Sequence, residues 1–484
     1  MLRLDRVYGL ENEYQVTTRS KQYPHEVESY SRFRHALNTG RLYTDVGPLL
    51  EYATPVCASV EEAVVYDIAG EYIALDALNF AMQRENEKRR SADPQSELDE
   101  VLHFSKRAND VRDRLHLACG IHDNYLTRRW LNPALPQVSG PLALQNVTRN
   151  IYVGGGRYDS KQRAWVPSQK APSITDFMSI HTTHIKPVVN LRDEPLADPE
   201  RYRRFHNTYG DATISPWATR LKLGATSVIL YMLEAGEDLS DLSLDEKSWY
   251  EANTIAGSDP TLKRPIRLAN GKTIRPLDAQ MEFAMRGKAF SKRHPLPLEL
   301  IRIIDVWLEA GADAEQDPQK LERKSDWVAK RKVADSKRAK DPWKDEVNQM
   351  RTIDLEYTNV GPVHGTDMAT GTGFFLRDRG YFDWSPSKEA IEHAIHFPPE
   401  RTTAHMLGKF LRVIAEADRR LPGKPWPAWV GWGYIDVKIG ETWRHFSQSN
   451  PRKTNYPGLE EVIAGIEDGS IPKPKYSERP FSWE

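Results

Sequence analysis

Two short stretches near the start of the chain set chemically capable side chains at alternate positions. In YGLENEY (8–14) these are Glu11 and Glu13; in RLYTD (41–45) they are Arg41, Tyr43 and Asp45. Successive side chains of an extended strand point to opposite faces, so each set shares one face of its strand. Glu51 follows just beyond a Gly47-Pro48 turn signal. A carboxylate-rich surface of this kind suits a hard cation such as Mg²⁺, which takes oxygen ligands and keeps positions for water or phosphate oxygens. Arg41 beside it could neutralise phosphate. A solvated edge strand carries similar charges without any metal, so alternation alone leaves both readings open.

A second cluster lies in NLRDEPLADPERYRRFH (190–206), where Asn190, Arg192 and Glu194 alternate before Pro195. Arg192 could grip a phosphoryl group in two-pronged fashion, or simply pair with an acid in a loop. His181 and His184 sit at the ends of HTTH with no third ligand nearby in sequence, and Gly154-Gly155-Gly156-Arg157 matches no phosphate-binding loop, so a turn is expected there. The chain has no GxSxG, HExxH or kinase signature set, which disfavours hydrolysis by an activated serine.

The elements that must position these residues can be outlined from periodicity. Leu2–Val16 and Gly40–Val46 alternate as strands. Ser59 and Glu62 have capping-box spacing ahead of Val64, Val65, Ile68, Tyr72, Leu75 and Leu78, which recur at helical intervals. Residues 86–100 are charged and poor in large apolar side chains, and are expected to form a surface insertion or loop. In the charged stretch 313–347, KSDWVAKRK is expected on a helix with a solvated basic face. His364–Gly373 reads as a mobile Gly/Thr-rich loop, Gly433–Ile439 as a late strand and Leu459–Ile466 as a last helix. A catalytic domain over 1–395 and a small C-terminal domain over 396–484 are expected.

Composition narrows the function class. With 67 basic and 68 acidic residues the formal net charge is -1, which disfavours a general nucleic-acid or membrane-surface binder. No stretch approaches the roughly 20 apolar residues of a membrane span. The two cysteines, Cys57 and Cys119, belong to no CxxC pair, and a reducing, cytoplasmic setting is expected.

Several motifs in order resemble the Pup ligase and Pup deamidase/depupylase family: YGLENEY (8–14), RLYTDVGPLLEYAT (41–54), CGIHDNYL (119–126), TRNIYVGGGR (148–157), NLRDEPLADPERYRRFHNTYGDA (190–212), SDWVAKRK (325–332) and IDLEY (353–357). The resemblance implies an α+β fold like that of glutamine synthetase. Its large domain would have a curved, mostly antiparallel sheet cradling ATP, backed by helices, with a small C-terminal domain. It implies Mg²⁺ on Glu11, Tyr43 and Glu51, ATP on Arg41, Thr54 and Trp432, Asp45 as catalytic base, and Arg192 facing the transferred phosphoryl group. The implied partners are Pup or a Pup-like modifier and lysine-bearing target proteins. Only a few residues precede RLYTD where depupylases carry a long insertion, which favours the ligase branch. Leu49-Leu50 in place of His-Pro, and Asp123 in place of a Glu, depart from the family pattern. The activity the resemblance implies is ATP-dependent joining of the side-chain carboxylate of the modifier's C-terminal glutamate to a target lysine through an acyl phosphate; the reverse amidase reaction, a small-molecule carboxylate–amine ligase and a catalytically silent member are the competing readings.

Overall fold

Alternating polar and apolar residues make Tyr8–Thr18 the strand β1, around which a six-stranded sheet is built. The computed structural model describes residues 5–18, 34–44, 49–97, 101–109, 118–340, 346–361, 370–421 and 423–475. Asp45, the Gly47-Pro48 turn and residues 364–369 of the Gly/Thr-rich run lie outside them; of that run, Thr372 already opens a helix. Strands β2 (Arg41–Thr44), β3 (Leu50–Ala53), β4 (Val101–Lys106) and β5 (Ile121–Arg128) follow. A hairpin of β6 (Arg157–Asp159) and β7 (Ala164–Val166) and a parallel pair, β8 (Asp176–Ser179) with β9 (Pro187–Asn190), lead to β10 (Tyr202–Asn207). The main sheet runs β10-β5-β1-β3-β2, with β4 on the far half of β1, and every pairing in it is antiparallel.

Residues directly opposite in such a sheet share a face, so register assigns the two surfaces. Glu13, Glu51 and Tyr43 form one cross-strand row, and Arg41, Ala53, Glu11 and His122 form the next. Gly9, Asn124 and His206 extend that face toward β10. The opposite face carries Leu10, Tyr14, Leu42, Tyr52, Tyr125 and Phe205, all at most 3% exposed. It packs on α1 (Val60–Ala92) and α3 (Pro216–Glu234), and α2 (Pro136–Val153) lies against α3. The apolar face buries the sheet and leaves the charged face to the solvent side.

At the start of α1, Ser59 Oγ accepts the Glu62 N–H at 3.1 Å, while the Glu62 carboxylate accepts the Ala58 N–H. The reciprocal cap therefore reaches one residue further back than the usual box. Of the surface insertion or loop expected at 86–100, the surface position holds for the described residues, but residues 86–92 are helical: α1 continues to Ala92, its last buried side chain being Met82. Glu, Lys and Arg are good helix formers, and a helix that leaves its core needs no apolar stripe. Tyr52 fixes α1 to the sheet. A Cβ at Gly70 or Gly40 would come within 2.1 Å or 2.2 Å of its ring or hydroxyl, and Asn38 donates to that hydroxyl at 3.0 Å.

Helices α4 (Trp249–Ser258), α5 (Pro276–Arg293) and α6 (Leu298–Gln316), with the short ladder β11 (Ile266–Arg267) and β12 (Thr273–Ile274), complete the helical layer. The solvated basic face expected for KSDWVAKRK holds for Arg331 and Lys332 but not for Lys324 and Lys330, which are buried. In α7 (Asp326–Lys340), Lys330 is fully buried, its Nζ donating to Gly155 O at 2.6 Å, Gly156 O at 3.0 Å and Asp354 Oδ1 at 2.7 Å. Asp326 accepts the N–H groups of Ile214 and Ser215. Lys330 thus ties α7 to the GGGR turn and Asp326 ties it to the start of α3. The turn's glycines are required by close backbone passage, since a Cβ on Gly154 would lie 2.1 Å from Pro167 O. Helices α8 (Glu346–Tyr357), α9 (Thr372–Asp378) and α10 (Lys388–His396) complete this part.

A separate apolar cluster, from Met406 to Ile466, is built by α11 (Ala404–Arg420), the meander β13 (Ala428–Val430), β14 (Tyr434–Ile439) and β15 (Thr442–Ser447), and α12 (Pro457–Asp468). It is held against the sheet side through Arg452, whose guanidinium donates to Arg6 O at 2.7 Å and Ala58 O at 2.8 Å.

Candidate active site

The charged sheet face and the C-terminal cluster enclose a cleft between them, lined among others by Glu11, Arg41, Thr54, Asn124, Arg204, Trp432 and Gln448. β1 supplies Glu11, β2 Arg41, the end of β3 Thr54, β5 Asn124 and β10 Arg204. The turn between β13 and β14 supplies Trp432 from the other side, and Gly433 after it holds φ +74, a left-handed conformation that favours glycine. Thr54 locks the strand next to Glu11: its Oγ1 accepts the Leu10 N–H at 3.0 Å and its N–H donates to Leu10 O at 2.9 Å.

The Arg41 guanidinium lies 3.9 Å from the centre of the Trp432 ring. Its Nε and Nη1 are buried without a hydrogen-bond partner among the described residues. Burial lowers the Arg41 pKa to about 10, so the group still carries its charge near neutral pH. Unspent donors on a half-desolvated cation are what an anionic ligand would satisfy. Tyr43 donates to Glu51 Oε1 at 2.6 Å and meets the Trp432 ring edge-on at 6.1 Å. With Glu13 opposite Glu51, that row offers only oxygens, the donor chemistry Mg²⁺ prefers.

Glu11 is held by three side chains. His122 Nδ1 lies 2.9 Å and His206 Nε2 3.4 Å from its Oε2, and Arg204 Nη2 donates to its Oε1 at 2.9 Å. Burial alone would raise its pKa, but Arg204 and the two imidazoles outweigh that and hold the carboxyl well below the usual range. Burial, helped by Arg204, pushes His206 down to about 3 against the pull of Glu11, so its ring stays neutral and able to bind a metal. The ligand atoms of Glu11, His122 and His206 lie within 4.8 Å of one another. One carboxylate with two imidazoles accepts softer divalent ions as well as hard ones.

Five of the residues expected at the site, Glu11, Arg41, Tyr43, Glu51 and Thr54, fall on the two central rows or at their end, with Trp432 facing them. Arg192 does not line the cleft. It lies in the loop after β9, its N–H bonded to Asn190 Oδ1 and its side chain 2.9 Å from Glu194, while Pro195 and Leu196 of the same loop reach the cleft wall. Asp45 lies outside the described residues. The sequence reading missed His122, Asn124, Arg204 and His206. Their signal was present, since both pairs alternate within motifs already singled out, 119–126 and 190–206. Asp123, between His122 and Asn124, points the other way. It is fully buried and takes Arg149 at 2.9 and 3.0 Å, Tyr125 Oη at 2.7 Å and Asn207 Nδ2 at 3.1 Å. This departure from the family pattern thus sits in the core behind the sheet and not in the cleft.

A sheet face with unspent cationic donors, an indole wall and clustered metal-type ligands is equipped to hold a phosphorylated nucleotide through a divalent cation. The model of the family described as Pup-ligase protein matches residues 18–428. The Pup–protein ligase of Acidimicrobium ferrooxidans is 33% identical over 433 residues, covering 86% of this chain and 90% of the relative. That of Kineococcus radiotolerans is 33% identical over 433 residues, with 86% and 91% covered. The solved structure of the prokaryotic ubiquitin-like protein Pup with its ligase PafA superposes with TM-score 0.78 at 24% identity, over 96% of this chain and 91% of that one. The Pup ligase PafA in complex with ADP gives TM-score 0.74 at 24% identity, over 92% and 91%. The chain belongs to the Pup ligase family.

Proposed function

We propose that this protein is an ATP- and Mg²⁺-dependent ligase that joins the side-chain carboxylate of the C-terminal glutamate of Pup, or of a Pup-like modifier, to a lysine of a target protein. The observation that carries this reading is the convergence of Glu11, Arg41, Tyr43, Glu51 and Thr54 on one sheet face opposite Trp432, in a chain of the Pup ligase family. We place the catalytic unit at 1–395 and the small C-terminal unit at 396–484. Among the described residues no helix is long and apolar enough to cross a membrane. The two buried free cysteines accord with a reducing, cytoplasmic setting.

A carboxylate and an amine do not condense in water at pH 7, so the modifier carboxylate first attacks the γ-phosphorus of ATP, giving an acyl phosphate and ADP. Bound Mg²⁺ would neutralise charge on the transferring phosphoryl group. Glu11, Tyr43 and Glu51 would hold it, with Glu13 opposite Glu51 as a further oxygen donor. Arg41 and Arg204 present fixed positive charge to the polyphosphate; Arg192, paired with Glu194 outside the cleft lining, is not assigned a step. The lysine amine then attacks the acyl carbon and expels phosphate. With an ordinary pKa near 10.4, well under about 0.1% of a lysine is neutral at pH 7, so a base must take its proton as the bond forms. Asp45, one position beyond β2, is assigned that role.

The test is ATP turnover by the wild type and Asp45→Asn with Mg²⁺, a Glu-terminated modifier and a lysine-bearing protein, read by intact mass. A gain of modifier minus water that requires ATP and is lost in Asp45→Asn is expected. Cleavage of a preformed conjugate without ligation would instead establish the amidase, and a wild type that turns over no nucleotide would refute the reading.

A further inference from the structure

Besides Arg41, the cleft wall holds two buried side-chain polar groups without a partner among the described residues, the Thr39 hydroxyl and the Gln448 amide nitrogen. Gln448, just after β15, is 6% exposed, lines the cleft, and its Nε2 has no acceptor among the described residues. Its backbone is pinned, the N–H donating to Gly433 O at 2.7 Å, directly beside Trp432. A buried amide nitrogen left unpaired is costly, so such a group is retained where something arrives to accept from it. The chemistry of the cleft says what arrives. Gln448 is neutral, and a polyphosphate is matched by the guanidinium groups of Arg41 and Arg204. The same cleft is also walled by Pro55, Val56, Leu407 and Pro451, with the half-exposed Trp432 ring among them. An apolar wall with an aromatic face and an unpaired amide donor suits a flat heterocycle that carries in-plane lone pairs.

We infer that Gln448 is a specificity residue for the nucleotide, its Nε2 donating to a ring nitrogen of the purine base. This rests on the cleft being the ATP site. It explains why a residue far from Glu11 in sequence is carried to the cleft by the C-terminal meander: the sheet face supplies phosphate and metal chemistry, and the meander reads the base.

The experiment is equilibrium binding of ATP and its 1-deaza, 3-deaza and 7-deaza analogues, each lacking one ring nitrogen, to the full chain and to Gln448→Leu. One analogue is expected to bind the wild type about tenfold more weakly than ATP, the worth of one buried hydrogen bond. Gln448→Leu should lose the same factor for ATP and no longer distinguish ATP from that analogue. Gln448→Glu, close in shape but unable to donate when ionised, should behave alike and covers the case in which the leucine variant does not fold. Equal weakening of all four nucleotides, or none, would overturn the assignment, as would a wild type indifferent to every analogue. Failure of the wild type to bind any nucleotide would overturn the reading of the cleft itself.

Discussion

Replacing Asp123 by Asn should cost about 3–5 kcal/mol, the usual penalty for leaving one member of a buried ion pair uncompensated. The side chain is fully buried, and so, to within 2%, is Arg149, which donates to both of its oxygens. Asn keeps the shape but removes the charge, and turns an NH₂ toward at least one of the donors Arg149, Tyr125 and Asn207 that the carboxylate now accepts from. Burial alone would raise the Asp123 pKa, but the Arg149 guanidinium more than offsets it and holds the carboxyl below its ordinary value. The sign of the pH dependence follows. A depressed folded-state pKa contributes stability that is fully present above the unfolded value near 3.9 and is lost as pH falls through the folded one. Urea denaturation at pH 7 should therefore show a lowered midpoint at unchanged slope, and the gap between wild type and variant should close below about pH 4. Nucleotide binding should weaken too, because His122 and Asn124 flank Asp123 on the same strand and face the cleft. A loss under about 1 kcal/mol at pH 7, or a gap that widens on acidification, would refute the reasoning.

Two further outcomes follow from the same kind of accounting. Glu11→Gln removes the charge that Arg204 and both imidazoles surround, and should lower ATP-dependent conjugation by about 100-fold or more and raise the divalent ion concentration needed for half activity; an unchanged metal titration would contradict its role. Lys330→Met should cost about 3 kcal/mol in urea midpoint because Asp354 and two carbonyls lose their donor, whereas Lys332→Met, exposed on the same helix, should stay within about 0.5 kcal/mol; equal effects would show that burial does not set the difference.

Alternation identified the correct face for Glu11, Glu13, Arg41 and Tyr43, because a period of two is a property of the strand itself. It could not show that Glu13, Glu51 and Tyr43 form one row, since register between strands is set by long-range pairing. The same limit hid Arg204 and His206, whose strand lies two places from β1 in the sheet although nearly two hundred residues separate it from Glu11 in sequence. The α1 start was legible from its cap, but its end was not, because an exposed charged helix and a charged loop have the same composition. The buried Lys330 of α7 was read as solvated for a related reason: its partners, Gly155, Gly156 and Asp354, lie on other elements.

The cleft takes one wall from the beginning of the chain and the other from residues 432 and 448. On a ribosome working at roughly 5–20 residues per second, β1 therefore emerges at least about 20 seconds before the meander that faces it. Throughout that interval the nascent protein displays its acidic strand without an indole or an amide to close over a nucleotide. A nucleotide therefore meets both walls of its cleft only once the meander has been made, and a chain truncated ahead of it should bind ATP more weakly than the full chain.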